Sequence, residues 1–175
     1  MYRNDVKELL AQSLQRLLEK KTLEKINVQE ITRDCQVSRS TFYRQFLDKY
    51  DLMNYCYQVK VDKFLKELEY NNCQNILTYI FYFLKEDKNF FENAIRTKGE
   101  NSFLNFLYDY SFDFYKKEFL TRSKKDKLSN KETACIAFNC AGAVRLVEGW
   151  IKCRMKQSPE EAVLKTRYRL IPLIW

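Results

Sequence analysis

The 175-residue sequence contains no histidine. This removes histidine-based nucleophile activation, histidine general acid–base chemistry and histidine metal ligation together. Glycine and proline are nearly as scarce, at three and two residues, where an ordinary chain carries about 12%. So few turn-formers cannot supply the tight turns of a β-sandwich or barrel. Gly99, Gly142 and Gly149 also lie too far apart for a dinucleotide fingerprint or a phosphate-cradling loop. Apolar runs such as Ile76 to Leu84 fall well short of the ~20 residues a membrane helix needs. No Cys-x-x-Cys pair occurs among the six cysteines, and no histidine is present to complete a zinc set. The expectation is an all-α, non-enzymatic protein without metal, cofactor or membrane span. The charged opening Met1-Tyr2-Arg3-Asn4-Asp5 is unlike an export signal, so we expect a cytoplasmic protein whose cysteines are buried free thiols.

Positive charge is in excess. There are 31 Lys/Arg against 23 Asp/Glu, a net charge of +8, which invites a polyanionic partner. The excess is spread along the chain, so the placement of individual residues has to carry any argument about DNA.

Helical spacing accounts for nearly the whole sequence. Val6, Leu9, Leu10, Leu14, Leu17 and Leu18 share one face of a helix over 4–19. After a polar connector, Asn27-Val28-Gln29-Glu30 has the form of a capping box and opens a short helix. Ser38 is the next N-cap, for a helix Arg39 to Phe46 held inward by Phe42 and Phe46, and Asp48 caps a long helix beyond. The stretch 79–119 holds 14 of the 27 aromatic residues. These either line a small-molecule pocket or form plain core. A helix from about 130 to 156 follows, then one capped by Ser158 with Pro159 in its first position.

Residues 27–52 carry the clearest chemistry. Two short helices joined by a tight turn form a helix-turn-helix pattern. The second presents Arg39, Ser40, Thr41, Tyr43, Arg44 and Gln45. Arginine can bind guanine edges bidentately and threonine can meet a thymine methyl, whereas Tyr43 and Lys49 suit phosphate oxygens. An ordinary helical bundle with a polar face has the same spacing.

The run Asn27 to Phe46, with its Val37-Ser38-x-x-Thr41-Phe42-Tyr43-x-x-Phe46 core and the downstream Lys49 and Leu52, resembles the DNA-binding domain of TetR-family transcriptional regulators. Ala141 to Ile151 and Ser158-Pro159-Glu160-Glu161 are similar to the last two helices of many members. The resemblance implies about nine helices, with a helix-turn-helix domain at 1–50 and a dimerisation and effector domain at 51–175. It implies a homodimer on a pseudo-palindromic double-stranded operator, acting as a repressor under an unknown small-molecule or protein effector. Base contacts would come from Arg39, Ser40, Thr41 and Arg44. Tyr43 and Lys49 would clamp phosphates, with Gln29 and Thr32 near the backbone. The dimer would involve Ala137, Ala141, Val144, Val147, Ile151, Leu170, Leu173 and Ile174. Phe83, Phe103, Phe106, Tyr110 and Arg145 would face the effector. One departure stands out: Gln36 occupies the turn position where the family usually has glycine, so a left-handed non-glycine residue is expected there.

The alternatives are an activator controlled by a partner protein, as in a subgroup the chain resembles that regulates dihydroxyacetone kinase operons, and a basic interaction module without sequence preference.

Overall fold

The computed structural model describes residues 3–67, 73–99 and 101–167. Among them are nine α-helices and no strand: α1 Arg3–Leu18, α2 Val28–Asp34, α3 Arg39–Tyr43, α4 Lys49–Glu67, α5 Cys73–Glu86, α6 Lys88–Ala94, α7 Phe103–Ser123, α8 Asn130–Lys152 and α9 Pro159–Arg167. A 3-10 turn, Leu23–Lys25, lies between α1 and α2. The all-α expectation holds.

The helices gather into two compact units. The first comprises 1–71 and 87–103, and the second 72–86 and 104–175. These compact units follow packing and do not coincide with the expected 1–50 and 51–175. Helix α4 packs on α1, as does α6, and Leu52, Met53, Cys56, Tyr57 and Val61 are buried on α4. A boundary at 50 would expose that face.

The core of the first unit is built on Leu10, Leu14, Ile31, Phe42, Leu52 and Met53, none with more than a trace of exposed surface. Tyr57 sits edge-on to Phe103 at 5.1 Å and to Phe91 at 5.9 Å, which ties α4 to α6 and the start of α7. Such pairs add directional preference to the area they bury. Leu23 is fully buried, although it stands in a connector whose composition reads as polar.

In the second unit α5 packs on α9, and Phe81 of α5 meets Trp150 of α8 at 4.8 Å. Helix α8 opens with a capping box in which Ser129 and Glu132 satisfy each other's backbone amides. Its inner face buries Ile136, Cys140, Val144, Val147, Trp150 and Ile151. Among the described residues α8 is the one helix long and apolar enough to cross a membrane, and this buried stripe accounts for much of that apolar content. Of the cysteines described, Cys56 and Cys140 are buried, Cys35 and Cys135 half-buried, and Cys153 exposed. The expectation of uniformly buried thiols fails at Cys153, which follows the end of α8.

Candidate nucleic-acid interface

Helix α2 is fixed at both ends before α3 begins. Asn27 accepts from the Glu30 amide at 2.9 Å, and Glu30 accepts from the Asn27 amide at 3.0 Å. Lys21 pairs with the other oxygen of Glu30 at 2.5 Å. These contacts hold the Glu30 carboxyl below its ordinary range, the Lys21 bond first. Ser13 of α1 donates to the Ile31 carbonyl at 2.9 Å, and Arg16 pairs with Asp34. The helix then ends through Gln36 at φ +57°, the left-handed turn expected there.

Helix α3 follows at once. Ser38 caps it, accepting from the Thr41 amide at 3.0 Å. It spans only Arg39–Tyr43, shorter than the expected Arg39 to Phe46, though Phe46 N–H still reaches the Phe42 carbonyl at 3.0 Å. Phe42 is fully buried, with Phe46 beside it at 6.0 Å between ring centroids. Anchored on that side, α3 turns Arg39, Ser40, Tyr43 and Arg44 to solvent, whereas Gln45, expected among them, is half-buried. Tyr43 is 53% exposed with its ring edge-on to Phe42. The arrangement presents two guanidiniums, a phenol and a hydroxyl on a fixed backbone, which suits base edges and phosphate oxygens.

Several of the expected contact residues make hydrogen bonds within the protein. Thr32 is buried, its hydroxyl donating to the Gln29 carbonyl at 3.2 Å. Thr41 is half-buried and shares a 2.8 Å hydroxyl contact with Ser38, as the exposed Ser40 also does. Lys49 directs its ammonium to the carbonyls of Leu23, Glu24 and Ile26, at 2.8, 3.1 and 2.7 Å. Desolvation there lowers its pKa, offset in part by Glu24, Asp48 and Glu30. Asp48 caps α4 as expected, accepting from the amides of Tyr50 and Asp51 at 2.8 Å each. Those amides are thereby occupied by a carboxylate instead of standing open to a phosphate.

Between α3 and the starts of α2 and α4 lies a cleft of about 640 Å³. One wall is the run from Glu24 to Gln29, and Arg39, Tyr43, Asp48, Lys49 and Tyr50 complete the lining. Gln29 is exposed on that wall as expected. Lys25, also exposed, escaped notice because nothing in the connector's composition sets one lysine apart from its neighbours. Leu47, 71% exposed just beyond α3, was missed as well.

The expected effector residues do not form one set. Phe103 is fully buried in the first unit, against Tyr57 and Phe91. Phe83, Phe106 and Tyr110 belong to the second unit, where Phe106 and Tyr110 lie 6.0 Å apart on α7. The Arg145 side chain is 78% exposed and paired with Glu148, so it faces water rather than a cavity. Of the expected dimer residues, Val144, Val147 and Ile151 are buried within the second unit, Ala137 is half-buried and Ala141 exposed. Leu170, Leu173 and Ile174 lie outside the described residues. Among the described residues no group of three or more potential metal ligands comes together.

A capped helix-turn-helix with a basic exposed second helix, in an all-helical chain of two units, defines a transcriptional regulator of the helix-turn-helix class. Residues 71–170 match the TetR-type family model described as the C-terminal region of transcriptional regulators. That is more than half of the chain, and the protein belongs to the TetR family of transcriptional regulators. No curated protein sequence matches it. Its fold is similar to the solved structure of the dihydroxyacetone kinase operon activator DhaS, with a TM-score of 0.62 at 19% identity, covering 96% of this chain and 95% of that one.

Proposed function

We propose that this regulator acts as a homodimer that reads a pseudo-palindromic operator through α3, in the cytoplasm, under the control of an effector. The carrying observation is α3 itself: Arg39, Ser40, Tyr43 and Arg44 exposed together on the buried anchors Phe42 and Phe46. Arg39, Ser40 and Arg44 would meet base edges, while the Tyr43 hydroxyl and Gln29 would meet the phosphate backbone. Dimerisation would place two such helices one DNA turn apart, roughly 34–36 Å.

The outer face of α8 supports the dimer. Ala134, Phe138, Ala141 and Arg145 recur at helical spacing and are all exposed, Phe138 by 70%. An isologous contact across a two-fold axis would cover each Phe138 with the small residues of the other copy. An effector that preferred one separation of the α3 helices would shift that population and change operator affinity.

Repression is the reading we adopt for the outcome of binding. Activation under a partner protein is the second reading, favoured by the fold shared with an operon activator.

The decisive experiment is selection of bound sequences from random DNA by the purified protein. Enrichment of a two-fold symmetric site supports the proposal. Tight, steeply salt-dependent binding with no enriched sequence would instead indicate a non-specific basic module. A reporter driven through the enriched site then separates repression from activation by the sign of its response.

A further inference from the structure

The connector between α7 and α8 is a corner closed at both ends. The amides of Lys124 and Lys125 reach back to the carbonyls of Thr121 and Leu120, and Lys124 stands at φ +53°. Just beyond, the reciprocal box of Ser129 and Glu132 opens α8. Lys125 fastens the two ends, pairing with Glu132 at 2.6 Å while its ammonium lies 5.8 Å from the centre of the Phe119 ring. The corner belongs wholly to the second unit.

The positive charge of the chain is concentrated here. Residues 116–131 hold seven lysines and arginines against two acids, a net +5 of the chain's +8. Neighbouring carboxylates are already engaged, Glu118 by Arg122 at 3.5 Å and Glu132 by Lys125. Lys116, Lys117, Lys124, Lys127 and Lys131 are all exposed. Among the described residues none of these five pairs with a carboxylate. They stand on a backbone that the two helix ends hold in place, so little ordering cost would attend their use in binding.

The helix-turn-helix has the opposite composition. Residues 27–52 hold four cations, Arg33, Arg39, Arg44 and Lys49, against four acids, Glu30, Asp34, Asp48 and Asp51. That segment carries base-reading side chains on α3 but no net attraction for a polyanion. Non-specific binding to duplex DNA is almost entirely such attraction, through cations that neutralise phosphates and release counterions. Ammonium groups suit this task, because they meet phosphate oxygens as point charges.

We propose that the α7–α8 corner is a second DNA-binding surface, which holds the phosphate backbone of duplex DNA without regard to sequence through Lys116, Lys117, Lys124, Lys127 and Lys131. This goes beyond the operator reading of α3 and does not depend on it. The corner supplies non-specific capture, and α3 supplies discrimination.

The test titrates the full-length protein, at micromolar concentration, onto a random-sequence duplex over a series of salt concentrations. Three variants are compared with the parent: Lys116→Gln/Lys117→Gln, Lys124→Gln/Lys127→Gln/Lys131→Gln, and Arg39→Ala/Tyr43→Ala. Circular dichroism controls for folding, and the two corner variants change separate segments, so either one alone can decide. The slope of log affinity against log salt should shrink by about 1.8 in the first variant and about 2.7 in the second, at about 0.9 per phosphate contact. The α3 variant should keep most of the random-duplex slope and lose preference for an operator. A parental slope in a folded corner variant overturns the proposal. So does a slope lost in the α3 variant and kept in both corner variants, which would place all DNA contact on α3. Poly-L-glutamate is titrated in parallel. If the corner variants lose its binding while their duplex slope stays parental, the surface takes an acidic polypeptide and the DNA assignment falls. Should selection from random DNA enrich no operator, the α3 reading fails while the random-duplex titration still decides the corner.

Discussion

The Val37 amide donates to the Thr32 carbonyl at 2.9 Å, closing the end of α2 over Gln36, whose own amide reaches the Arg33 carbonyl at 3.3 Å. This pair of closures is the Schellman motif, and its pivot is usually glycine. The same pairing recurs after α7, from Lys125 to Leu120 and Lys124 to Thr121, and after α8, from Met155 to Trp150 and Arg154 to Ile151. The pivots are Gln36, Lys124 and Arg154, at φ +57°, +53° and +56°. A chain with three glycines thus ends three helices in a conformation glycine would adopt more easily. Its glycine poverty persists as small strains at helix ends.

Gln36→Gly should therefore stabilise the protein. A side chain in the left-handed region costs roughly 1 kcal/mol, and the added freedom of glycine in the unfolded chain takes back part of that. For a chain of this size a gain of that order raises Tm by about 2–4 °C. Thermal melts of Gln36→Gly beside Gln36→Ala measure it, the alanine variant keeping the strain. An unchanged or lower Tm in the glycine variant would show that the Gln36 side chain contributes more than its backbone costs.

Arg39→Ala and Tyr43→Ala should each weaken operator binding about 10- to 100-fold, the range for losing one good base or backbone contact. Together they should abolish retardation of the operator. Both side chains are exposed, so helicity and oligomeric state should not move. Gel retardation with circular dichroism as control reads this out. Unchanged affinity in the double variant would remove α3 from the interface.

Periodicity and caps made most of the helices legible: Asn27, Ser38 and Asp48 each cap the helix their position announces. Which face of a helix a neighbour covers was not legible. Val144 and Phe138 are both apolar residues on α8, and only packing makes one core and the other surface. Lys49 shows a second limit. Its carbonyl partners lie 23–26 residues back in the chain, and carbonyls carry no sequence signature. Phe103 shows a third: it opens α7 in an aromatic-rich stretch, yet packs in the first unit while the rest of α7 belongs to the second.

Phe138→Glu should dissociate the proposed dimer and leave the protomer folded. Covering a phenylalanine side chain contributes about 1.5–3 kcal/mol, and an isologous interface covers it twice. The dimer Kd should rise at least about a hundredfold by that reckoning. Val144→Ala, in contrast, empties part of the protomer core and should lower Tm without changing the protomer's tendency to associate. Sedimentation equilibrium of both variants separates the cases. A Phe138→Glu protein that stays dimeric would move the interface off this face of α8.

Thiol labelling should follow burial. Cys153 is exposed, whereas Cys56 and Cys140 are buried, with pKa values pushed up to about 12 and about 11 chiefly by desolvation. The thiolate is the reactive form, so among the described cysteines a disulfide reagent at neutral pH should modify Cys153 first. Cys56 and Cys140 should react only as the protein unfolds. Mass spectrometry of partly labelled protein identifies the order, and early modification of Cys56 would contradict the packing of α4 on α1.

Acid should weaken the cap of α8. Lys125 pairs with Glu132 at 2.6 Å, and both the Ser129 amide and the Ser129 hydroxyl donate to its other oxygen. The Lys125 bond first, then those from Ser129, lower the carboxyl pKa from 4.5 to about 2. A group whose pKa is depressed by folding stabilises the native state above its unfolded value, and that contribution disappears as pH falls through the folded value. The contribution of Glu132 should therefore be complete above pH 4.5 and fade down to about pH 2. Glu132→Gln keeps the capping geometry, since glutamine serves in a capping box, and removes only the charge. Its Tm should lie below that of the parent at neutral pH, and the gap should narrow steadily through that window. A gap that stayed constant with pH would assign the cap's contribution to hydrogen bonding alone and leave the Lys125 pairing without effect on stability.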